Sequence, residues 1–185
     1  MSRIEIYAKS KSRGVWELVG EVQNAMRGAW MLWMMLEREY LPSYNNKEHP
    51  TVGGGYKSRL MSFEQNALDE LWDLQNNPSL TLEELIVFRS TMDNTVIMGK
   101  DLPMFVKCLE KVGKKHNTNH DSQASLIGEL CDERGDDIEA ITYNQTSVCD
   151  ASDLFGDGLD ADVGKFVDCM DDSRWGMSMS KARKE

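Results

Sequence analysis

Apolar positions recur at three- and four-residue steps from Gly14 to Tyr40, the longest such run in the chain. This spacing places them on one face of a helix. Residues 29–36 are apolar on every side, which is typical of a helix that is buried all round or that meets another subunit. Pro42 then interrupts the pattern. The sequence therefore predicts one long helix over 14–40, whose apolar face contains Val15, Leu18, Val19, Val22, Met26, Ala29, Trp33, Leu36 and Tyr40.

Three other stretches have the pattern of strands. Residues 3–9 alternate apolar and polar side chains, and residues 90–98 and 138–148 are rich in Thr, Val and Ile. Between them, amphipathic spacing and helix-start signals predict shorter helices over 63–74, 81–89, 101–112 and 121–134. The order of elements indicates an α+β fold, in which a small three-stranded sheet is packed by one long N-terminal helix and several shorter helices.

Charge is distributed unevenly along the chain. The first 60 residues carry nine Lys/Arg against six Asp/Glu, whereas the remaining 12 Lys/Arg and 25 Asp/Glu give that part a net charge of −13. We therefore expect a single α+β domain over residues 1–148, followed by an acidic, partly ordered C-terminal segment over 149–185. The total of −10 argues against direct nucleic-acid binding, because such domains are usually basic. It leaves two options, a local basic pocket near the N-terminus or an acidic surface that meets a basic partner.

The remaining composition indicates a cytoplasmic protein. There is no apolar signal segment after Met1, and the apolar run is too short to span a bilayer, so we expect no membrane association. The four cysteines, at 108, 131, 149 and 169, form no CxxC pair, which favours reduced thiols over a zinc site. His116 and His120 are four residues apart, but the intervening Asn-Thr-Asn favours a loop. We expect no metal and no cofactor.

A second stripe of the predicted long helix mixes aromatic, amide and guanidinium groups. It contains Trp16, Gly20, Gln23, Arg27, Trp30 and Met34. Two interpretations stay open. In one, Gly20 lets another element pack closely and Arg27 pairs with a carboxylate. In the other, the stripe is a pocket wall, where Trp stacks on a planar ligand and Arg27 holds an anionic group.

Three further segments would complete such a pocket. The basic link 10–14 precedes the predicted helix, whose N-terminus favours an anion. Ser12 is also suited to cap that helix, and we favour this second interpretation. The loop after the glycines 53–55 carries Arg59, which could close over a ligand. The end of the third predicted strand is rich in amides and hydroxyls. Such groups either form hydrogen bonds with the edge of a base or sugar, or form the hydrogen bonds of a turn. The candidate ligand-binding residues are therefore Arg13, Trp16, Arg27, Arg59, Asn144 and Gln145.

Several segments resemble a family of small proteins from tailed phages and prophage-bearing bacteria. They are SKSRGVWELVGEVQNAMRGAW, LEREYLPSY, ELWDL, FRSTMDN, DLPMFVKCLEKV and ITYNQTSV, which together span most of residues 4–148. The chain has Tyr143 where Trp is usual, a change that keeps an aromatic ring. The resemblance implies a phage context and a non-structural, cytosolic accessory role in the host cell.

Three functions fit these observations. The first is a phage accessory protein that counters host antiviral immunity by sequestering a nucleotide-type signal, with Arg binding phosphate and Trp stacking on a base. The second is an acidic inhibitor that mimics nucleic acid in a basic groove of a host defence protein. The third is a nucleotide-processing enzyme, which we rank last because no catalytic residues stand out. The Met/Trp-rich stretch 30–35 makes a homo-oligomer possible.

Overall fold

The computed structural model describes residues 3–23, 29–40, 51–52, 56–57, 70, 73–92, 94–146 and 161–172. Four α-helices and seven strands lie within this part of the chain. The helices are α1 (Ala29–Tyr40), α2 (Leu82–Ser90), α3 (Leu102–His116) and α4 (His120–Arg134). The strands are β1 (Arg3–Ser10), β2 (Trp16–Gln23), β3 (Thr51–Val52), β4 (Tyr56–Lys57), β5 (Thr95–Met98), β6 (Ile138–Thr146) and β7 (Val167–Asp168).

The main sheet has five strands in the order β2-β1-β6-β5-β7. All neighbours are antiparallel except β5 and β7, which are parallel. The α+β class is confirmed, but the prediction of three strands is wrong. β2 and β7 are the additional strands at the two edges of the sheet, and β3 and β4 form a separate two-stranded sheet.

The prediction of one helix over 14–40 is also wrong. Residues 16–23 form β2, which pairs with β1 as a hairpin, and the described helix of this region is α1, Ala29–Tyr40. The hairpin turns at Gly14, whose φ of 69° is unfavourable for residues with a Cβ. Gly20 lies against α4, because a Cβ added there would lie 2.4 Å from Leu126 Cδ1. Gly20 therefore serves close packing, as the first of the two interpretations predicted, but on a strand.

The helices cover one face of the sheet. Ala8, Ile97 and Ile141 point from three strands into a core that also contains side chains of all four helices. α2 is buried over nearly its whole length, from Glu84 to Ser90. Its N-terminus has the capping box predicted from the sequence, in which the side chain of Thr81 accepts a hydrogen bond from the backbone of Glu84.

The other face of the sheet is covered by the segment 161–166. Its apolar side chains pack with residues from β1, β2, β5 and β6 in a second cluster, which contains Tyr7, Trp16, Val96, Ala140, Ala161, Val163 and Phe166. The chain then forms β7, and the fully buried guanidinium of Arg89 pairs with Asp172 at 2.9 Å. This part of the acidic C-terminal segment is therefore integrated into the sheet.

Some predictions fall outside the described residues. They include most of the predicted helix 63–74, the glycines 53–55, and two candidate ligand-binding residues, Arg27 and Arg59. No helix in the described part of the chain combines the length and apolar character needed to cross a membrane.

Candidate functional site

A buried carboxylate, Glu84, lies where the ends of three helices meet. It is the third residue of α2, so its backbone N–H would lack an intrahelical partner without the side chain of Thr81. In return, the backbone N–H and the hydroxyl of Thr81 both donate to Glu84 Oε2, each at 2.9 Å. The side chain of Glu84 is only 1% exposed. The start of α2 thus fixes a charged group inside the protein.

Side chains from α1 and α3 complete the coordination of this carboxylate. The hydroxyl of Tyr40 donates to Glu84 Oε2 at 2.8 Å. Lys115 Nζ donates to the other oxygen, Oε1, at 2.7 Å, and His116 Nε2 lies 2.6 Å from the same oxygen. Both oxygens of Glu84 are therefore paired, which offsets the cost of burying the charge.

A second carboxylate, Glu39, lies on the open side of the group. Its Oε1 accepts a hydrogen bond from Lys115 Nζ at 2.9 Å, and its Oε2 lies 3.6 Å from His116 Nδ1. Lys115 also donates to the hydroxyl of Tyr40 at 2.8 Å. We call these five residues, Glu39, Tyr40, Glu84, Lys115 and His116, the Glu84 cluster.

The electrostatics of the cluster hold three groups in their ordinary charge states. Burial by itself would raise the pKa of Glu84, but hydrogen bonds from His116 and Lys115 outweigh it and lower the pKa to about 2. Burial raises the pKa of Tyr40. Burial opposes the charge of Lys115, yet its hydrogen bonds to Glu84, Tyr40 and Glu39 raise its pKa. At neutral pH Glu84 is therefore a deprotonated carboxylate, Lys115 is an ammonium and Tyr40 is a neutral phenol. Fixed charges of this kind suit ion binding better than proton transfer.

Trp16 lies inside the protein and not on an open pocket wall. Its side chain is 1% exposed, its indole N–H donates to the carbonyl of Ala161 at 2.9 Å, and its ring packs against Phe166 at 5.4 Å between centroids. Lys9 Nζ donates to the same carbonyl at 2.8 Å. The indole therefore anchors the segment 161–166, and the predicted stacking on a planar ligand has no free ring face.

Arg13 and the link before it are engaged by the protein's own carboxylates. Arg13 lies at the exposed hairpin turn, where its Nη2 donates to Glu17 Oε2 at 2.6 Å. The link 10–14, where the sequence predicted an anion, binds the carboxylate of Asp137, which accepts from Ser10 Oγ at 2.6 Å and from the backbone N–H of Ser12 at 2.9 Å. The hydrogen bond from the Ser10 hydroxyl, followed by those from Ser12, lowers the pKa of Asp137. The link does bind an anion, but an internal one.

Asn144 lies in β6 opposite Glu5 of β1, and both side chains are buried. Because Glu5 and Lys9 lie on the same face of β1, and Lys9 pairs with Trp16, the sheet places Asn144 and Trp16 on one face but near opposite ends of β1. Gln145 follows in β6, and its side chain lies outside the described residues. Of the six candidate residues, the structure describes the side chains of Arg13, Trp16 and Asn144, and it does not gather these three into one pocket.

The Glu84 cluster was not predicted from the sequence. One signal was present, because the capping box identified Glu84 as the third residue of a helix. The other members are distant in sequence, with Tyr40 44 residues away and His116 32 residues away. No local pattern links them. Comparison with known proteins adds no further assignment, since no family model, curated protein or solved structure matches the chain.

Proposed function

We propose that this protein is a phage accessory protein that counters host antiviral immunity by binding a host defence protein through an acidic surface. The phage context comes from the sequence resemblance. The mode of action is supported by the outer face of α4, where exposed carboxylates are spaced along one side of the helix and continue into the next turn. They are Asp121, Glu129, Asp132, Glu133 and Asp136.

These carboxylates are available to a partner. The buried side of α4, which includes Ala124, Ile127 and Leu130, faces the core, so the acidic side points outward. The side chains of Asp132 and Glu133 form no ion pair with any described residue. A row of exposed carboxylates on a chain of net charge −10 is complementary to a basic groove.

The test compares two variants with the same change in net charge. In the first, Asp132→Asn and Glu133→Gln remove two of the five carboxylate charges of the α4 face. In the second, Asp73→Asn and Glu110→Gln neutralise exposed carboxylates elsewhere. Each immobilised protein is used to capture partners from host lysate across a salt series. We expect capture that weakens with salt, that is lost in the α4 variant and that is retained in the control. Equal capture by both variants, or capture unaffected by salt, would refute the acidic-surface mechanism.

A second candidate is the sequestering of a nucleotide-type signal. It is favoured by the outer face of α3, which exposes Lys107, Lys111 and Lys114 and lies next to α4. Lys111 is paired with Glu83, which leaves the other two ammonium groups for phosphate. The measurement is the melting temperature with cyclic and ADP-ribose-like nucleotides, because a ligand that binds the folded state raises it. The candidate requires a rise that is reduced by Lys107→Gln with Lys114→Gln, and it fails if no nucleotide stabilises the protein.

A further inference from the structure

We propose that Glu39, Glu84 and His116 form a site for a divalent transition-metal ion such as Zn²⁺, and that Lys115 competes with the ion for the same oxygen atoms. The site is independent of the proposed function. Each residue offers one ligand atom, and these atoms all lie within 4.8 Å of one another. Two carboxylates and one imidazole are donors that Zn²⁺ and its neighbours in the transition series accept.

The burial of the three residues is graded. The side chains of Glu84 and His116 are 1% and 5% exposed, whereas that of Glu39 is 40% exposed. Two ligands are therefore fixed inside the protein, and the third can move to admit an ion from solvent. This arrangement separates the cluster from an ordinary group of surface carboxylates, whose members are all mobile and hydrated.

The two oxygens of Glu84 have different partners, which orients the carboxylate. Oε2 accepts from the neutral donors of Thr81 and Tyr40. Oε1 faces Lys115 and His116. Hydrogen bonds to one oxygen of a ligating carboxylate hold the other toward a metal, and such supporting contacts typically change metal affinity by about 10–100-fold. Oε1 is therefore the oxygen that the fold presents to a cation.

Lys115 already has the contacts of a bound cation. Its Nζ lies 2.7 Å from Glu84 Oε1 and 2.9 Å from Glu39 Oε1. The ammonium carries one positive charge against two carboxylates, so the three groups sum to −1. A divalent ion in its place would make the site neutral with an uncharged imidazole. Because the side chain of Lys115 is 40% exposed and its stem is flexible, the ammonium can turn into solvent.

The test is a calorimetric titration of the full-length protein with Zn²⁺, using three variants. Glu39→Gln removes a 40% exposed ligand that contacts Lys115 and His116 among the described residues, so the fold should survive. Lys115→Met removes the competing cation. Glu110→Gln, on the exposed side of α3, is the matched control. We expect one Zn²⁺ per wild-type chain, binding at least about tenfold weaker in Glu39→Gln and about tenfold tighter in Lys115→Met, and no change in the control.

Several results would overturn the proposal. They are no binding by the wild type, binding by Lys115→Met alone, and equal affinities of Glu39→Gln and the wild type. Substituting Co²⁺ adds a spectroscopic readout, because thiolate ligation gives a charge-transfer band that oxygen and nitrogen ligands do not. Such a band would assign the metal to a cysteine and reject the site. If Lys115→Met fails to fold by circular dichroism, the comparison of Glu39→Gln with Glu110→Gln decides the outcome.

Discussion

Replacing Trp16 with alanine should destabilise the fold strongly, because the indole is a structural anchor. The substitution removes a large, fully buried side chain that packs against Phe166 and donates to the carbonyl of Ala161. Trp→Ala changes in cores typically cost about 3–5 kcal/mol, and loss of a hydrogen bond contributes about 1 kcal/mol within that total. We therefore expect a loss of roughly 3–5 kcal/mol in the free energy of unfolding.

Two further substitutions separate packing from hydrogen bonding. Trp16→Phe keeps an aromatic ring but removes the indole donor, and the Ala161 carbonyl still accepts from Lys9, so we expect a cost of about 1–2 kcal/mol. Leu18→Ala changes the next residue on the same face of β2, where the side chain is 49% exposed. A half-exposed residue of this kind should cost only about 0.5 kcal/mol.

The assay is urea-induced unfolding followed by far-UV circular dichroism, with the free energy obtained by linear extrapolation. Limited proteolysis gives a second readout, because release of the segment 161–166 should accelerate cleavage near it. If Trp16→Ala costs less than about 1 kcal/mol and resembles Leu18→Ala, the indole does not anchor the segment. That result would restore Trp16 as a candidate for ligand stacking.

Three other substitutions test separate parts of the fold. Gly99→Ala should cost about 1–3 kcal/mol in urea unfolding, because the added Cβ would lie 2.1 Å from the backbone oxygen of Ile138; a stabilised variant would contradict that contact. Burial lowers the pKa of His120 to about 4, so the unfolded chain takes up a proton at this residue before the folded chain does as the pH falls. The free energy of unfolding should therefore drop by about 3 kcal/mol between roughly pH 6.5 and 4. Thermal melts of His120→Gln across this range should lack that dependence on pH. Asp172→Asn removes a charged partner of the buried Arg89 and should cost about 2 kcal/mol by urea unfolding, with faster proteolysis near β7. Unchanged proteolysis would show that this ion pair does not hold the segment.

Elements with a local signal were predicted well from the sequence. The alternation over 3–9 corresponds to β1, and the predicted helix over 121–134 corresponds to α4 with its buried Ala124, Ile127 and Leu130. The second strand was predicted too long at its start. α2 continues to Ser90, and the chain then turns through Asn94, whose φ is 58°. Helix starts and periodic faces are local properties, so a single sequence reveals them.

The error over 14–40 came from two periodicities that overlap. The run WELVGEVQ places Trp16, Leu18 and Gly20 at steps of two, which is the period of a strand, while its valines and leucine also satisfy the steps of a helix. Pairing with β1 decides between them, because the backbone of β2 gains its hydrogen bonds across the hairpin. The turn before it contains Gly14 at positive φ, a signal that favours the hairpin and that the helical spacing outweighed.

The contacts of the Glu84 cluster likewise come partly from residues close in sequence and partly from distant ones. The capping box supplies two of the three donors to Glu84 Oε2 from within four residues, so the sequence could place a carboxylate at the start of α2. The third donor, Tyr40, and both partners of Oε1, Lys115 and His116, depend on which helix ends converge there, and they lie 44, 31 and 32 residues away. A buried carboxylate that loses such a partner retains a charge without compensation, which costs several kcal/mol. A cation beside Glu84 Oε1 therefore also stabilises the junction of α1, α2 and α3. A metal ion that binds there in place of Lys115 should raise the melting temperature of the whole protein.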